Sequence, residues 1–424
     1  MKTRRATTLV AILALVLTLA APAWAAQGDL LRTFLKPTPA AGESFGFSVA
    51  AVGSNVLVGA LYDDTGAGDT GAAYLFDGTS GALLKTFLNP TPAFNDTFGA
   101  SVAAVGNNVL VGAPRDDTGA ADAGAAYLFD GSTGALLRTF QKPTPDAGDY
   151  LGWSVAAMGQ NVLVGAVGDD TGASYAGAAY LFNGASGALL RTFQKPTPHA
   201  SDDFGDSVAA VGQNVLVGAK YDDTGTTDAG AAYLFDGTTG ALLQTFPNPS
   251  PEHMDWFGHS VAAVGQNVLV GAPRDNTGAS EAGAAYLFDG ATGALLRTFL
   301  NPTPAANDWF GDSVAAVGSN VLVGAPYDNT GAGDAGAAYL FDGATGALLQ
   351  TFLNPTPAYP DYFGTSVAAL GNNILIGASY DDTGATDAGA VYLFEGIPEP
   401  ATLLLLGFGA LGILSRRRAR RKDK

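Results

Sequence analysis

The sequence contains no cysteine. No disulfide can therefore stabilise the fold, and the chain offers neither a thiolate nucleophile nor a cysteine ligand for a metal. Basic residues are scarce as well, because 21 Lys and Arg stand against 39 Asp and Glu and the formal net charge is −18. An acidic excess on this scale opposes binding to nucleic acid, while it favours solubility and the attraction of cations.

Long apolar runs with helical periodicity are missing from the central part of the chain. The apolar runs found there have the length of β-strands, and Gly, Asn, Asp and Pro separate them. Gly106-Asn107 and Asp130-Gly131 each lie between two such runs and predict tight hairpins. In this stretch the four predicted strands are Ser101–Val105, Asn108–Ala113, Ala123–Phe129 and Ala135–Phe140.

The same four runs recur in seven copies at a fixed spacing of 53 residues. A fixed period of this length indicates a repeat architecture. Four antiparallel strands in each copy predict an all-β fold, a seven-bladed β-propeller of four-stranded blades. A solenoid is the alternative, but it would need a polar cap at each end. The copies begin at Phe45, Phe98, Leu151, Phe204, Phe257, Phe310 and Phe363.

The predicted ring has a means of closing. Residues 30–34 read LLRTF, which matches the fourth strand of a copy whose first three strands are absent. The last copy begins at residue 363, runs to residue 396 and lacks a fourth strand of its own. We therefore expect the N-terminal strand to complete the last blade, so that the closed ring leaves no open sheet edge.

Each copy carries FG, then SVA, then VLVGA and GAAYLF, or close variants of these motifs. In these motifs residues 28–396 resemble the FG-GAP repeats of the integrin α-chain propeller. In that family the calcium ligands lie in an acidic loop between the first and second strands, and here that loop is only Val105–Asn108 or its equivalents. The resemblance therefore implies the propeller fold but not the family's calcium sites.

The first 26 residues have the pattern of a secretory signal peptide. A basic start is followed by the apolar run Leu9–Leu19, and Ala23 and Ala25 form a small-x-small cleavage site. An N-terminal membrane anchor is the alternative interpretation. We expect export of the chain, with the propeller occupying residues 27–396.

Residues 397–424 form the third predicted segment. Pro398-Glu399-Pro400 precedes an apolar span over residues 401–414 and a basic cluster that includes Arg416, Arg417 and Arg418. The segment resembles the PEP-CTERM sorting signal, which implies cleavage by an exosortase in a Gram-negative bacterium, with transient anchoring by a short transmembrane helix. The span is shorter than the ~20 residues of an ordinary transmembrane helix. An ordinary tail anchor is the alternative.

Acidic residues open the loop between the second and third strands of every copy, and the loop leading into each FG adds another. Both loops emerge on one face of an antiparallel blade, so we expect an acidic, long-looped face. Such side chains cap turns, hold calcium or contact a ligand, and the sequence leaves these alternatives open. The loop residues are Asp63, Asp64, Asp116, Asp117, Asp169, Asp170, Asp222, Asp223, Asp275, Asp328, Asp381 and Asp382.

The residue before FG is aromatic in four copies, at Tyr150, Trp256, Trp309 and Tyr362. Aromatic rings beside carboxylates predict a platform for sugars or mixed polar ligands. The alternative is that these rings fill the gaps between adjacent blades.

The uniformity of the copies argues against a catalytic centre, which needs a unique constellation of residues. Paired carboxylates serve glycoside hydrolysis, but equivalent loops in every copy do not mark one site. The one distinctive cluster is His253 and His259 beside Glu252 and Asp255, and we interpret these histidines as exposed loop residues without a role. We predict that the protein is not an enzyme.

Together these patterns predict an exported surface or matrix protein that binds or scaffolds, in association with exopolysaccharide or adhesion. The expected partners are the exosortase and either extracellular polysaccharide or surface proteins, with no nucleic acid. Calcium stays open as a cofactor. A secreted carbohydrate-active enzyme with its site on the acidic face and a protein-docking propeller are the alternatives.

Overall fold

The computed structural model describes residues 28–396 of the chain. The predicted signal peptide, the Pro-Glu-Pro triplet, the apolar span and the arginine cluster lie outside these residues. Within residues 28–396 all regular secondary structure is β-strand. This part of the chain contains no helix that is long and apolar enough to cross a membrane. The strands form seven four-stranded antiparallel sheets, as the repeats predict.

The sheets are blades numbered here by the repeat that supplies their first strand. The innermost strands are β2 Phe45–Val52, β6 Ser101–Val105, β10 Leu151–Met158, β14 Phe204–Val211, β18 Ser260–Val264, β22 Ser313–Val317 and β26 Phe363–Leu370. The second strands are β3 Asn55–Ala60, β7 Asn108–Ala113, β11 Asn161–Ala166, β15 Asn214–Ala219, β19 Asn267–Ala272, β23 Asn320–Ala325 and β27 Asn373–Ala378.

Two further sets complete the blades. The third strands are β4 Ala72–Asp77, β8 Ala125–Phe129, β12 Ala178–Asn183, β16 Ala231–Asp236, β20 Ala284–Phe288, β24 Ala337–Phe341 and β28 Ala390–Phe394. The outer strands are β5 Leu83–Leu88, β9 Leu136–Phe140, β13 Leu189–Phe193, β17 Leu242–Pro247, β21 Leu295–Leu300, β25 Leu348–Leu353 and, for blade 7, β1 Leu30–Phe34.

The middle strands of each blade are buried on both faces, which explains their continuous apolar sequence. In blade 2, β7 and β8 are buried almost throughout, whereas the outer β9 exposes most of its side chains. The third strand begins two residues later than the sequence predicts. The reason is Gly124, which has a φ of +78° and donates its N–H to the Asp116 carbonyl of the preceding loop.

The hydrophobic core lies between blades, in seven clusters that each join two neighbours. The outer-strand phenylalanine of one blade contacts the third-strand phenylalanine of the next, as Phe87 does with Phe129 at a ring distance of 5.2 Å. The same pair recurs at the closing junction, where Phe34 lies 5.5 Å from Phe76. Aromatic pairs of this kind stabilise by about 1 kcal/mol beyond the area they bury.

A serine hydroxyl adds one polar link at every junction. Ser48 Oγ donates to the Gly99 carbonyl of the next blade at 2.8 Å, and the equivalent bond joins Ser366 to Gly46 at 2.7 Å. The second bond spans blade 7 and blade 1. Blade 7 itself is completed by β1, which pairs antiparallel with β28. The predicted closure by the N-terminal strand is therefore confirmed.

Candidate functional site

The two long loops of each blade lie together on one face, as predicted. Asn95 in the loop leading into blade 2 donates its N–H to Gly68 of the second-to-third loop of blade 1 at 3.0 Å. Gly148 makes the same contact with Ala121 one blade further on. Because these bonds join loops of successive blades, the loop face is one continuous surface.

The first aspartate of each second-to-third loop does not face solvent. Asp116 is 1% exposed and accepts a hydrogen bond from the hydroxyl of Tyr127 on the third strand at 2.6 Å. Its second oxygen accepts the N–H of Thr118, which fixes the turn. The equivalent aspartates in all seven blades are buried, so they are structural anchors. The buried set is Asp63, Asp116, Asp169, Asp222, Asp275, Asp328 and Asp381.

A second buried carboxylate lies beside each of these aspartates, and the group between them differs among blades. In blade 3, Lys142 Nζ lies 3.0 Å from Asp149 Oδ1 and 3.2 Å from Asp169 Oδ2. Blades 1 and 4 place Lys36 and Lys195 in the same way. In the other four blades an asparagine amide replaces the ammonium, at Asn89, Asn248, Asn301 and Asn354.

The asparagine blades leave a buried negative charge poorly balanced. Burial raises the pKa of Asp96, Asp255, Asp308 and Asp361 to about 6. One carboxylate oxygen of the first three has no hydrogen-bond partner within the described chain. In blade 3 the corresponding oxygen of Asp149 contacts the lysine ammonium, which opposes the effect of burial.

The second residue of each loop is exposed and closes a turn; it is aspartate in five blades and asparagine in blades 5 and 6, at Asn276 and Asn329. Asp64 Oδ1 accepts the N–H of Asp69 at 2.9 Å, and the same bond recurs in the other blades. Among residues 28–396 no group of three or more His, Cys, Asp or Glu side chains is placed to hold a metal ion. Calcium binding by these loops stays a prediction. The exposed aspartates are Asp64, Asp117, Asp170, Asp223 and Asp382.

The loop face contains a cavity of about 560 Å³ lined by residues from six of the seven blades. Its lining includes the residue that follows FG in those six blades. This is a variable position in an otherwise uniform repeat, and its side chains are apolar over blades 1–3 and mostly polar over blades 4–7. The seven residues are Phe47, Ala100, Trp153, Asp206, His259, Asp312 and Thr365.

The polar side of the cavity is a linked cluster around Asp206. Its carboxylate lies 2.6 Å from Lys220 Nζ, 3.0 Å from Trp153 Nε1 and 3.1 Å from His259 Nδ1. His259 Nε2 lies 3.3 Å from Asp312. Burial opposes both charges, yet Lys220 and His259 lower the pKa of Asp206 to about 2, and the two aspartates raise the pKa of His259 to about 9.

The prediction that His259 is exposed is therefore wrong. Its imidazole is held between two carboxylates, and its side chain is 28% exposed. The His253 side chain does not share this cluster. Asp206 and His259 are 53 residues apart in sequence, one repeat period, so they are equivalent positions that meet across a blade junction.

Aromatic rings form a continuous row from blade 4 to blade 7 on the loop face, and the last three rings of the row line the cavity. Successive ring centroids lie 5.8, 5.5, 4.5, 4.7 and 4.8 Å apart. Three predicted platform residues, Trp256, Trp309 and Tyr362, belong to this row. The fourth, Tyr150, pairs separately with Trp153 at 6.4 Å. The row consists of Tyr221, Trp256, Trp309, Tyr327, Tyr362 and Tyr380.

All four predicted platform residues have left-handed backbone conformations. The φ angles are +55° at Tyr150, +58° at Trp256, +53° at Trp309 and +54° at Tyr362. A bulky side chain in this region costs about 1–2 kcal/mol relative to the unstrained backbone, and glycine or asparagine would avoid most of that cost. The turn does not require these rings, which points to a role for the rings themselves.

The family comparison agrees with this architecture. The model of the FG-GAP repeat matches residues 37–76, 91–129, 145–182, 198–235, 251–288, 302–341 and 357–394, which together cover more than half of the chain. The chain belongs to the FG-GAP repeat family. The PEP-CTERM protein-sorting motif matches residues 396–421. No curated protein matches the chain.

This FG-GAP propeller carries its distinctive residues at positions that the family motif leaves free. The residue after FG lines the cavity in six blades, and the residue before FG lines it at Thr97 and Tyr362. The signal in the sequence that identifies these positions is their variability among the chain's own copies. The sorting motif indicates export, processing by an exosortase, and a cell-surface or extracellular location in a Gram-negative bacterium.

Proposed function

We propose that the protein is an exported surface protein whose propeller binds extracellular polysaccharide in the cavity on the loop face and does not cleave it. The observation that carries the proposal is the row of aromatic rings that extends into this cavity, held partly on strained backbone. Flat apolar rings match the apolar faces of sugar rings, and neighbouring hydroxyl and carboxylate groups supply hydrogen bonds to sugar hydroxyls.

The contacts of Asp206 and Asp312 favour binding over hydrolysis by these two carboxylates. A glycosidase needs one carboxylic acid with a raised pKa and a second free carboxylate. Asp206 instead contacts Lys220, Trp153 and His259, and its low pKa makes it a poor proton donor. Asp312 is engaged by the second nitrogen of His259. The ionic cluster therefore acts as a rigid polar wall of the cavity.

Replacement of Trp309 and Tyr362 by asparagine tests polysaccharide binding. Asparagine tolerates the left-handed backbone, so the variant is expected to fold with unchanged or slightly higher thermal stability. We expect retention on immobilised polysaccharide from the producing organism to fall by roughly 10-fold or more, since each lost ring contact is worth about 1 kcal/mol. The measurement is affinity electrophoresis or surface plasmon resonance.

The matched control is Tyr175→Asn. Tyr175 has the same left-handed backbone, with φ +53°, and is 45% exposed on the same face, but it lies outside the aromatic row. Its replacement is expected to leave retention unchanged. Equal losses in both variants, or no loss in either, would contradict the proposal. Release of soluble oligosaccharides during the assay would favour the alternative of a carbohydrate-active enzyme.

The sorting segment is tested separately. Replacement of Pro398, Glu399 and Pro400 by alanine is expected to leave the full-length chain in the membrane fraction of an exosortase-containing host, because the protease loses its recognition triplet. Immunoblotting of cell fractions gives the measurement. The wild-type chain in a host without the exosortase should behave like the variant. Normal release of the variant would mean that the triplet is not the processing signal.

A further inference from the structure

The internal cations of the loop face cover some of the aromatic rings and leave others free. Arg274 lies 4.4 Å from the ring of Trp256 and 5.7 Å from that of Trp309. Lys220 lies over Trp153 and Tyr221 at 5.5 and 5.1 Å. These distances are typical of cation–π contacts. The cations of blades 4 and 5 therefore already occupy positions over these aromatic rings.

Blades 6 and 7 differ at the position of Arg274. The equivalent residues are Tyr327 and Tyr380, each separated from Arg274 by whole repeats. Tyr327, Tyr362 and Tyr380 form a strip in which neighbouring rings lie 4.7 and 4.8 Å apart, and all three line the cavity. Among residues 28–396 no Lys or Arg side chain lies over these three rings.

The tyrosine strip, defined as these three residues, lies in a negative environment. Burial, together with Tyr362 and the nearby carboxylates Asp312 and Asp334, raises the pKa of Tyr327 to about 12. Asp334 and Asp387 likewise raise the pKa of Tyr362, after the larger effect of burial. The chain as a whole carries a net charge of −18. Its field attracts cations toward the loop face and repels polyanions.

We propose that the tyrosine strip binds a cationic amino group, so that the polysaccharide ligand carries free amino sugars. The inference rests on the proposed function, because it takes the occupant of the cavity to be a polysaccharide. In blade 5 the arginine at this position and the ring beside it form a complete cation–π pair. In blades 6 and 7 the chain supplies only the rings and the surrounding carboxylates, and the ligand supplies the cation.

Arg115 lies on the other side of the cavity, in blade 2. It is exposed and stands 6.0 Å from the ring of Tyr150. Its charge disfavours an ammonium group close to blade 2 and directs it toward blades 6 and 7. The apolar positions Phe47 and Ala100 of the lining are then free to contact the uncharged parts of the sugar chain.

The test compares glucosamine oligomers with N-acetylglucosamine oligomers of matched length, by isothermal titration calorimetry at mildly acidic pH. The amines of the first carry protons under these conditions, whereas the amides of the second do not. We expect the protein to prefer the glucosamine oligomers by roughly 10-fold, the effect of cation–π contacts with two or three rings. Added salt should weaken this preference.

Variants locate the contact. Tyr327→Leu combined with Tyr380→Leu is expected to remove the preference, and so is Tyr327→Arg, which provides an internal cation in the manner of Arg274. Asp334→Asn with Asp387→Asn should reduce the preference several-fold. The matched control is Asp122→Asn with Asp228→Asn, in blades 2 and 4, which makes the same change of charge. This control variant should keep the preference for glucosamine oligomers.

Four outcomes separate this inference from the proposed function. Equal affinity for both oligomers, alongside retention of the native polysaccharide, would overturn the inference and leave the function standing. A preference that survives the tyrosine variants would also overturn it. Failure to bind any polysaccharide would overturn both. Preference for the amine, lost in the tyrosine variants and kept in the Asp122 and Asp228 control, would support the inference.

Discussion

Deletion of residues 28–34 is expected to lower the free energy of unfolding by roughly 5 kcal/mol or more and to cause association of the protein. The deletion removes β1, which supplies the outer strand of blade 7 and, within residues 28–396, is the only strand paired with the outer edge of β28. It also removes Phe34, which is 2% exposed and packs on Phe76 of blade 1. Loss of a buried phenylalanine alone costs about 3–5 kcal/mol.

Chemical denaturation and size-exclusion chromatography measure this effect. The control is Leu31→Lys, because Leu31 lies on the same strand but is 44% exposed, so its replacement should change stability little. A synthetic peptide that covers residues 28–38 should restore the stability of the truncated protein in trans. A truncated protein that stays monomeric and unfolds at the same denaturant concentration would show that β1 does not close the ring.

Replacement of Asn89, Asn248, Asn301 and Asn354 by lysine is expected to raise the free energy of unfolding at neutral pH by about 1–2 kcal/mol per blade. Each new ammonium would lie between two buried carboxylates, as Lys142 does between Asp149 and Asp169. The partnerless oxygens in the asparagine blades would gain a charged donor. The chain itself contains the template, since blades 1, 3 and 4 already have this arrangement.

The same carboxylates predict how stability depends on pH. The pKa of Asp96, Asp255, Asp308 and Asp361 is about 6 in the folded state against an ordinary value of 3.8. Between these values the folded state binds more protons than the unfolded state, so the free energy of unfolding falls as the pH rises through this window. Wild-type protein should therefore be less stable at neutral pH than at pH values just below 6.

The four-lysine variant should lose most of this decline, whereas Lys142→Asn should steepen it. A control with four lysines at the exposed positions Leu31, Leu84, Leu190 and Leu243 has the same change in net charge without the buried contacts. Equal stabilisation by both sets would assign the effect to net charge. If the free energy of unfolding of the wild-type protein did not change with pH in this window, the raised pKa of the four buried aspartates would be contradicted.

The sequence predicts the fold almost completely because the repeat is long and uniform. Apolar runs separated by turn residues define the strands, and the half-blades at residues 30–34 and 363–396 define the closure. Two of the four strands predicted for blade 2 differ from the structure: β8 begins after Gly124, two residues late, and β9 begins one residue late at Leu136. Because the repeats are nearly identical, a strand that is ambiguous in one copy can be assigned from the equivalent segment of another copy.

The candidate site was less accessible from sequence because its contacts join residues from different blades. The aspartates of the loops look alike in sequence, yet Asp116 is buried against Tyr127 while Asp117 is exposed. The sequence shows that Lys142 and Asn89 occupy equivalent loop positions. Their effect on the buried charge depends on an aspartate more than 20 residues away in sequence, which only the structure places beside them. The ion pair of His259 could not be predicted without knowing that Asp206 of the neighbouring blade lies beside it.

Tryptophan fluorescence during titration with polysaccharide tests the central claim most directly. The chain has four tryptophans, and one of them, Trp24, lies in the predicted signal peptide. Of the remaining three, Trp153 lines the cavity, and Trp256 and Trp309 belong to the aromatic row that extends into it. We expect a saturable change in emission at the concentrations that give half-maximal retention, whereas retention of polysaccharide without any change in emission would show that the ligand binds elsewhere.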